Sequence, residues 1–158
     1  MITIEKDITT VTEGIICHQA NCQGVMGAGL AKQIRRKFPE AYNEYMIQYR
    51  RNNLCLGNVI FALISSYPIL FVANLCGQDR YGRGGKFTNY RAVRRCLEAV
   101  VDFKREYSIK LDSDCLPVYI PDHMGCTLGG GDWNEVLKII EEVIPNAIIA
   151  RYNQGAGR

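Results

Sequence analysis

Two glycine-rich stretches, each set between an apolar run and an amphipathic run, constrain this chain more than any other feature. The first, Gly24-Val-Met-Gly-Ala-Gly29, follows the apolar, β-branched run 14–18 and leads into Leu30, Ala31, Ile34 and Phe38. Apolar residues spaced three and four apart form one face of a helix. The second, Gly125-Cys-Thr-Leu-Gly-Gly-Gly131, follows the apolar run 116–120 and leads into a helical pattern from Trp133. A strand, a glycine loop and a helix in succession leave backbone amides unpaired at the positive end of a helix dipole. Glycine lets the backbone approach a ligand closely, so such loops cradle anions and phosphates above all. Two of them suggest a clamp on a pyrophosphate. Neither contains the Gly-Lys-Ser/Thr of a P-loop, and the first does not fit the GxGxxG spacing of dinucleotide-binding folds. A P-loop NTPase and a classical Rossmann dehydrogenase are therefore disfavoured.

The rest of the chain alternates strands and helices. Residues 1–5 alternate apolar and polar positions and read as a strand; 14–18 read as a buried one. Pro39 ends or restarts the first helix, and Ala41, Tyr45 and Tyr49 continue its spacing. Runs 57–64 and 69–76 read as a hairpin whose loop, Ser65-Ser-Tyr-Pro68, exceeds a two-residue turn. Residues 77–89 form an exposed, glycine-rich loop. Helices are predicted over 90–107 and 133–144, the second opened by Asp132 and Glu135 in a capping-box pattern, with strands over 116–120 and 147–152. This order predicts an α/β fold with a mixed sheet and helices on both faces. A length of 158 residues fits one domain over 1–152, with a frayed tail at 153–158.

Composition narrows the class. Hydrophobic residues at 47% argue against disorder, and no apolar run is long enough to span a bilayer. The N-terminus lacks the basic start and apolar block of a signal peptide. A net charge of +3 gives no specific nucleic-acid signal. Seven cysteines, two histidines and no repeated CxxC spacing argue against a disulfide framework and a zinc site. The expectation is a soluble, reduced, cytoplasmic domain with no metal, no cofactor and no membrane partner.

His18-Gln-Ala-Asn-Cys-Gln-Gly-Val-Met-Gly-Ala-Gly-Leu-Ala31 resembles the first signature of the macrodomain family, a module that binds ADP-ribose. Lys6-Asp7-Ile8-Thr9 resembles that family's early Gly-Asp-Ile/Val element, with lysine where glycine is commoner, and Gly125 through Trp133 resembles its phosphate loop. The resemblance covers nearly the whole chain and implies a three-layer α/β/α sandwich with a central mixed sheet. Within the family, Asn21-Cys-Gln-Gly-Val-Met-Gly27 and the ending Gly130-Gly-Asp-Trp133 resemble the bacterial and phage branch of ADP-ribose-1''-phosphate phosphatases. The resemblance implies that Asp7 accepts from the adenine amino group, that Ile8 adds a backbone contact and that Tyr152 flanks the base. It implies that Asn21 bonds the distal ribose and that Gly27, Ala28 and Gly29 approach that ribose and the pyrophosphate. Thr127, Leu128, Gly129, Gly130 and Gly131 would hold the diphosphate from the other side. Where the glycohydrolase branch uses a lysine and an aspartate, this chain has Leu75 and Gly129; where the water-activating branch has Gly-Gly-Gly-Val, it has Met26-Gly-Ala-Gly-Leu30. Those departures leave phosphomonoester hydrolysis as the expected reaction. The alternatives are a non-catalytic reader of ADP-ribose or of an ADP-ribosylated protein, and a glycohydrolase that uses other residues.

Removing a terminal phosphate needs an in-line nucleophile, charge stabilisation and a proton donor for the leaving ribose oxygen. His18, His123 and Asp132 are the candidates; His18 and Asp132 are taken as catalytic, the first as general acid or base, the second orienting water. His18 reads equally as a core histidine and Asp132 equally as a helix cap. His123 reads as structural or surface. Arg80 and Arg83 are candidates to receive the extra phosphate, since guanidinium pairs with it bidentately. Asp7 and Asn21 are expected to carry few structural duties, and Cys22 is the one thiol suspected of redox sensitivity.

Overall fold

The computed structural model describes residues 1–113 and 116–152; the tail expected at 153–158 lies outside them. Strands β1 (Ile2–Glu5), β2 (Gly14–Ala20), β3 (Val59–Ser66), β4 (Ile69–Cys76), β5 (Val118–Pro121) and β6 (Ile148–Arg151) form one sheet. Helices are α1 (Gly29–Lys37), α2 (Pro39–Arg50), α3 (Tyr90–Leu111) and α4 (Trp133–Val143), with a 3₁₀ turn at Ile8–Thr10. Across the sheet the order is β1-β6-β5-β2-β4-β3, and every neighbouring pair is parallel except β3 with β4.

Strand β2 shows how the sequence builds three layers. Successive side chains on a strand point to opposite faces. Ile15 and Cys17 pack with Val93, Leu97 and Val100 of α3 and Val136 and Ile140 of α4. Ile16 packs on the other face with Ile34, Phe38 and Ala41 of the α1–α2 layer. A strand covered on both faces must be apolar at consecutive positions, which is why 14–17 reads as an unbroken run. The α/β/α sandwich with its mixed sheet is the expected one. Phe38, ahead of Pro39, sits at φ −128 and ψ 75, because the proline ring bars its neighbour from helical geometry and so separates α1 from α2.

Several element ends shift by one or two residues from the sequence reading, and three differences are instructive. Strand β2 runs on to Ala20, since Gln19 and Ala20 pair with Leu75 and Cys76 of β4 although glutamine breaks the apolar pattern. The connection between β3 and β4 is two residues, Tyr67-Pro68, joined by a cis peptide bond. Ser65 and Ser66, expected in the loop, pair with Leu70 and Ile69 as the polar end of the ladder. Helix α3 continues past 107 to Leu111, because residues 108–111 contain no glycine or proline to stop it. It ends at Asp112, whose left-handed backbone returns its N–H to Ile109 and Ser108. No helix among the described residues is long and apolar enough to cross a membrane.

The topology fixes where a ligand can sit. Parallel strands put the carboxyl ends of β1, β6, β5, β2 and β4 along one edge. After β2 the chain enters the α1–α2 layer; after β5, its neighbour in the sheet, it enters the opposite layer through α4. Loops diverging to opposite faces leave a crevice between them.

Candidate functional site

At that edge lies a cleft of about 940 Å³, lined from the ends of five strands. The end of β1 contributes Asp7 and Ile8, and β2 contributes His18, Gln19 and Asn21. The first glycine loop adds Gly27, Ala28 and Gly29, the loop after β4 adds Gln78, Tyr81 and Gly82, and β6 adds Arg151 and Tyr152. The chain leaving β5 adds Pro121, Asp122, His123 and Met124, then Thr127, Leu128 and Gly129. The size is that of a nucleotide-sized pocket.

The first loop delivers an open helix end. Ala28 is the N-cap of α1 and has no side chain able to accept, so the first-turn amides of Gly29, Leu30 and Ala31 remain for an incoming anion. Gly29 holds φ +56, and a Cβ there would meet Leu128 Cδ1 at 3.3 Å, so the two loops face each other across a narrow gap. The turn is held from below by Asn21 and Tyr45. Asn21 Nδ2 donates to the Val25 carbonyl at 2.7 Å, and its Oδ1 accepts from Gln23 N at 2.9 Å. The Tyr45 hydroxyl on α2, fully buried, lies 2.8 Å from the Asn21 carbonyl and 2.9 Å from Asn21 Oδ1. Burial pushes the Tyr45 pKa well up, so this hydroxyl stays a neutral donor.

The second loop is organised differently. Its own backbone bonds run from Cys126 N to His123 O, Gly130 N to Thr127 O and Gly131 N to Gly125 O, leaving the amides of Thr127, Leu128 and Gly129 out of them. Phe87 N and Thr88 N both donate to Gly129 O, at 2.8 and 3.0 Å, which ties the loop after β4 to this one. Gln19 completes the bracket. Its Nε2 donates to Gln78 Oε1 at 2.7 Å and Thr88 Oγ1 at 2.8 Å, while Thr88 Oγ1 donates to Gly125 O at 2.6 Å.

Residues 17–140 match the family model for the Macro domain. The chain belongs to the macrodomain family. Among curated relatives, the ADP-ribose 1''-phosphate phosphatase of Candida albicans is 37% identical over 65 residues, which are 41% of this chain and 41% of that protein. The aligned stretches cover less than half the length of the curated relatives matched. A Bacteroides thetaiotaomicron protein of unknown function superposes at a TM-score of 0.79 with 28% identity, over 96% of this chain and 97% of that one. A macrodomain protein from Streptomyces coelicolor superposes at 0.73 with 25% identity, over 98% and 99%.

In this macrodomain the cleft wall brings together Asp7, Ile8, His18, Asn21, Gly27, Ala28, Gly29, Thr127, Leu128, Gly129 and Tyr152. Gly130, Gly131 and Asp132 are not in that wall. Asp132 is exposed and caps α4, with Oδ1 accepting from Asn134 N at 2.8 Å, while its own N–H donates to the Tyr90 hydroxyl. The cap reading of Asp132 is the one its hydrogen bonds support. Gly130 and Gly131 close the loop from behind: a Cβ on Gly130 would lie 2.2 Å from Gly85 O. Arg80 and Arg83 are also outside the wall; Arg80 extends into solvent beside Asp79, because their loop is pinned at Gln78 and Thr88 and turns its arginines outward.

His18 is 1% exposed, and its Nε2 lies 2.6 Å from Asn74 Oδ1. Asn74 Nδ2 donates to the Ala41 and Ile60 carbonyls, which identifies Oδ1 as the acceptor and puts the His18 proton on Nε2. Nδ1 has no hydrogen-bond partner. Burial lowers the His18 pKa, against the Asn74 bond and the Gln19 backbone, which raise it. The imidazole is neutral, an acceptor rather than a proton donor. Asp7 and Asn21 carry more structural duty than expected: Asp7 Oδ1 accepts from Thr9 N and Thr9 Oγ1, capping the 3₁₀ turn. Cys22 is 9% exposed and burial raises its pKa, so it lacks the thiolate character of a redox-sensitive cysteine.

Sequence reasoning passed over Gln19, Tyr45, Asp122 and Arg151, and set His123 aside as structural or surface. Gln19 and Tyr45 looked like ordinary members of a strand and a helix face. Asp122-His123, directly ahead of the second glycine loop, was the available signal: polar residues at a strand's carboxyl end. Among the described residues no group of three or more His, Cys, Asp or Glu is arranged to hold a metal ion.

Proposed function

We propose that this macrodomain binds ADP-ribose and hydrolyses the terminal phosphate of ADP-ribose-1''-phosphate. One observation carries the binding: the uncapped N-terminus of α1 faces, across Leu128, a second loop whose 127–129 amides are not used internally. Two sets of amide donors on facing loops suit the charge of a diphosphate. The adenine then falls to Asp7, whose second carboxylate oxygen is uncommitted, with Ile8 and the half-exposed ring of Tyr152 beside it. The distal ribose lies against Gly27, Ala28 and Gly29, and Asn21 keeps one amide N–H for it. Turnover is supported by the phosphatase name of the Candida relative and by the branch resemblance of the two loops. Water bonds to phosphorus, the bond from phosphorus to the ribose oxygen breaks, and that oxygen takes the proton the attacking water gives up, yielding ADP-ribose and inorganic phosphate. The loop amides stabilise the charge at phosphorus, and His18 serves as a proton acceptor through Nδ1. A reducing cytoplasm suits the buried free thiols Cys17, Cys76 and Cys96.

A second reading, a non-catalytic reader of ADP-ribose or of an ADP-ribosylated protein, has its own observation. The carboxylates in the wall are Asp7 and Asp122, both toward the β1–β6 side and both already engaged. Phosphate release from ADP-ribose-1''-phosphate, measured beside calorimetric binding of ADP-ribose, separates the two. A Gly27→Val variant is the control, since a Cβ there has no neighbour closer than Val25 Cγ1 at 3.8 Å and the added methyls narrow the cleft. Release by the wild type and not by the variant supports the enzyme. Binding without release leaves the reader, and absence of both overturns the nucleotide reading.

A further inference from the structure

Resting on that reading, we propose that His123, positioned by Asp122, is the contact for the hydroxyls of the adenosine ribose. Covalent order puts this ribose between base and diphosphate. Sheet order puts the end of β5 directly beside the end of β6, with Asp7 and Tyr152 on that side, and the chain leaving β5 passes through 122–123 before it reaches the 127–129 amides. The residues at that place are Asp122 and His123.

Their local structure is that of a held side chain rather than a passive turn. Met124 N donates to Pro121 O at 3.1 Å, closing a four-residue turn, and His123 takes φ +57 at its third position. Glycine is the ordinary residue for that conformation. A bulky residue kept in such a backbone state is a pointer to function when its surroundings lock it there. The surroundings do. The imidazole stacks on Trp133 at 5.2 Å between centroids and 21° between planes. Its Nδ1 lies 3.1 Å from Asp122 Oδ1. Asp122 is clamped in turn, with Oδ2 accepting from Arg151 Nε at 2.8 Å and its own N–H donating to Ala150 O. The approach of Nδ1 to Asp122 is a close contact and not a hydrogen bond, since Asp122 Oδ1 has no hydrogen-bond partner. The side chain is 55% exposed in the cleft wall and presents a ring nitrogen able to hydrogen-bond a hydroxyl. A ribose diol both donates and accepts.

The test compares ADP-ribose with its analogue lacking both hydroxyls on the adenosine ribose, by calorimetry on wild type, His123→Gly and Asp122→Asn. Wild type is expected to prefer ADP-ribose by roughly three- to tenfold, the range one neutral hydrogen bond supports. His123→Gly suits the backbone better than histidine, so it folds, and it should bind the two compounds with equal affinity. Asp122→Asn should shrink the ratio of the two affinities, whereas a merely structural role would weaken both alike and leave the ratio as in wild type. Equal wild-type affinities, or a preference that survives His123→Gly, overturn the proposal while leaving the nucleotide reading intact. Failure of wild type to bind either compound overturns both.

Discussion

At the scale of single residues, His18 couples the site to pH. Its pKa in the folded protein lies below the 6.5 of the unfolded chain because burial penalises the imidazolium. The unfolded state therefore binds the proton first as pH falls. Stability from the neutral imidazole is complete above about pH 6.5 and is lost as pH drops from there through the folded pKa. Thermal melts should fall in temperature over that window, and His18→Gln, which can still donate to Asn74, should flatten the slope. An unchanged slope would place the titration elsewhere. Asp132 makes the opposite point. As a cap, its replacement by alanine should cost about 1 kcal/mol in a denaturant melt and leave ADP-ribose affinity unchanged. Loss of turnover with no loss of stability would restore the catalytic role.

The elements meet through a few cross-braces, and these decide the loop geometry. Gln19 on β2 holds the loop after β4 through Gln78 and, through Thr88, the second glycine loop. Gln19→Leu keeps the volume and strands its partners, so it should destabilise by roughly 1–3 kcal/mol and weaken nucleotide binding, read by melting and calorimetry together. Gly130→Ala should do more than its single methyl suggests, since φ is +66 and the Cβ would sit 2.2 Å from Gly85 O. The expected cost is roughly 1–3 kcal/mol, with protease sensitivity rising in residues 77–89 first. Tyr45→Phe removes the hydroxyl beneath the first loop, which should loosen Asn21 at a cost of about 1 kcal/mol and leave α2 in place. The unbroken apolar run of β2, the break at Pro39 and the cap of α4 were all readable in the chain, because each depends on neighbours within a few positions. The Gln19 and Tyr45 braces were not, because each joins residues twenty or more positions apart.

For the whole molecule, the cleft is a joint between two layers, and a ligand spanning it should stabilise the entire fold. Saturation at a hundred times Kd contributes about 2.7 kcal/mol. For a chain of this size that corresponds to a melting shift of roughly 5–10 °C, measurable by scanning calorimetry, and adenosine alone should give a smaller one. Element types, the helices on both faces of the sheet and the two glycine loops were legible in the chain, because periodicity, proline and glycine act over a turn or a strand. So were the motifs that mark the family. Which of those residues meet was set by the fold. Placing β5 beside β2 brings Leu128 against Gly29, draws Asp122 and His123 into the wall, and leaves Asp132, Arg80 and Arg83 outside it. It also set the tautomer of His18, through an asparagine fifty-six residues away. Local pattern selects a conformation for each segment; strand order and long-range hydrogen bonds select its neighbours, and chemistry at a site is a property of neighbours.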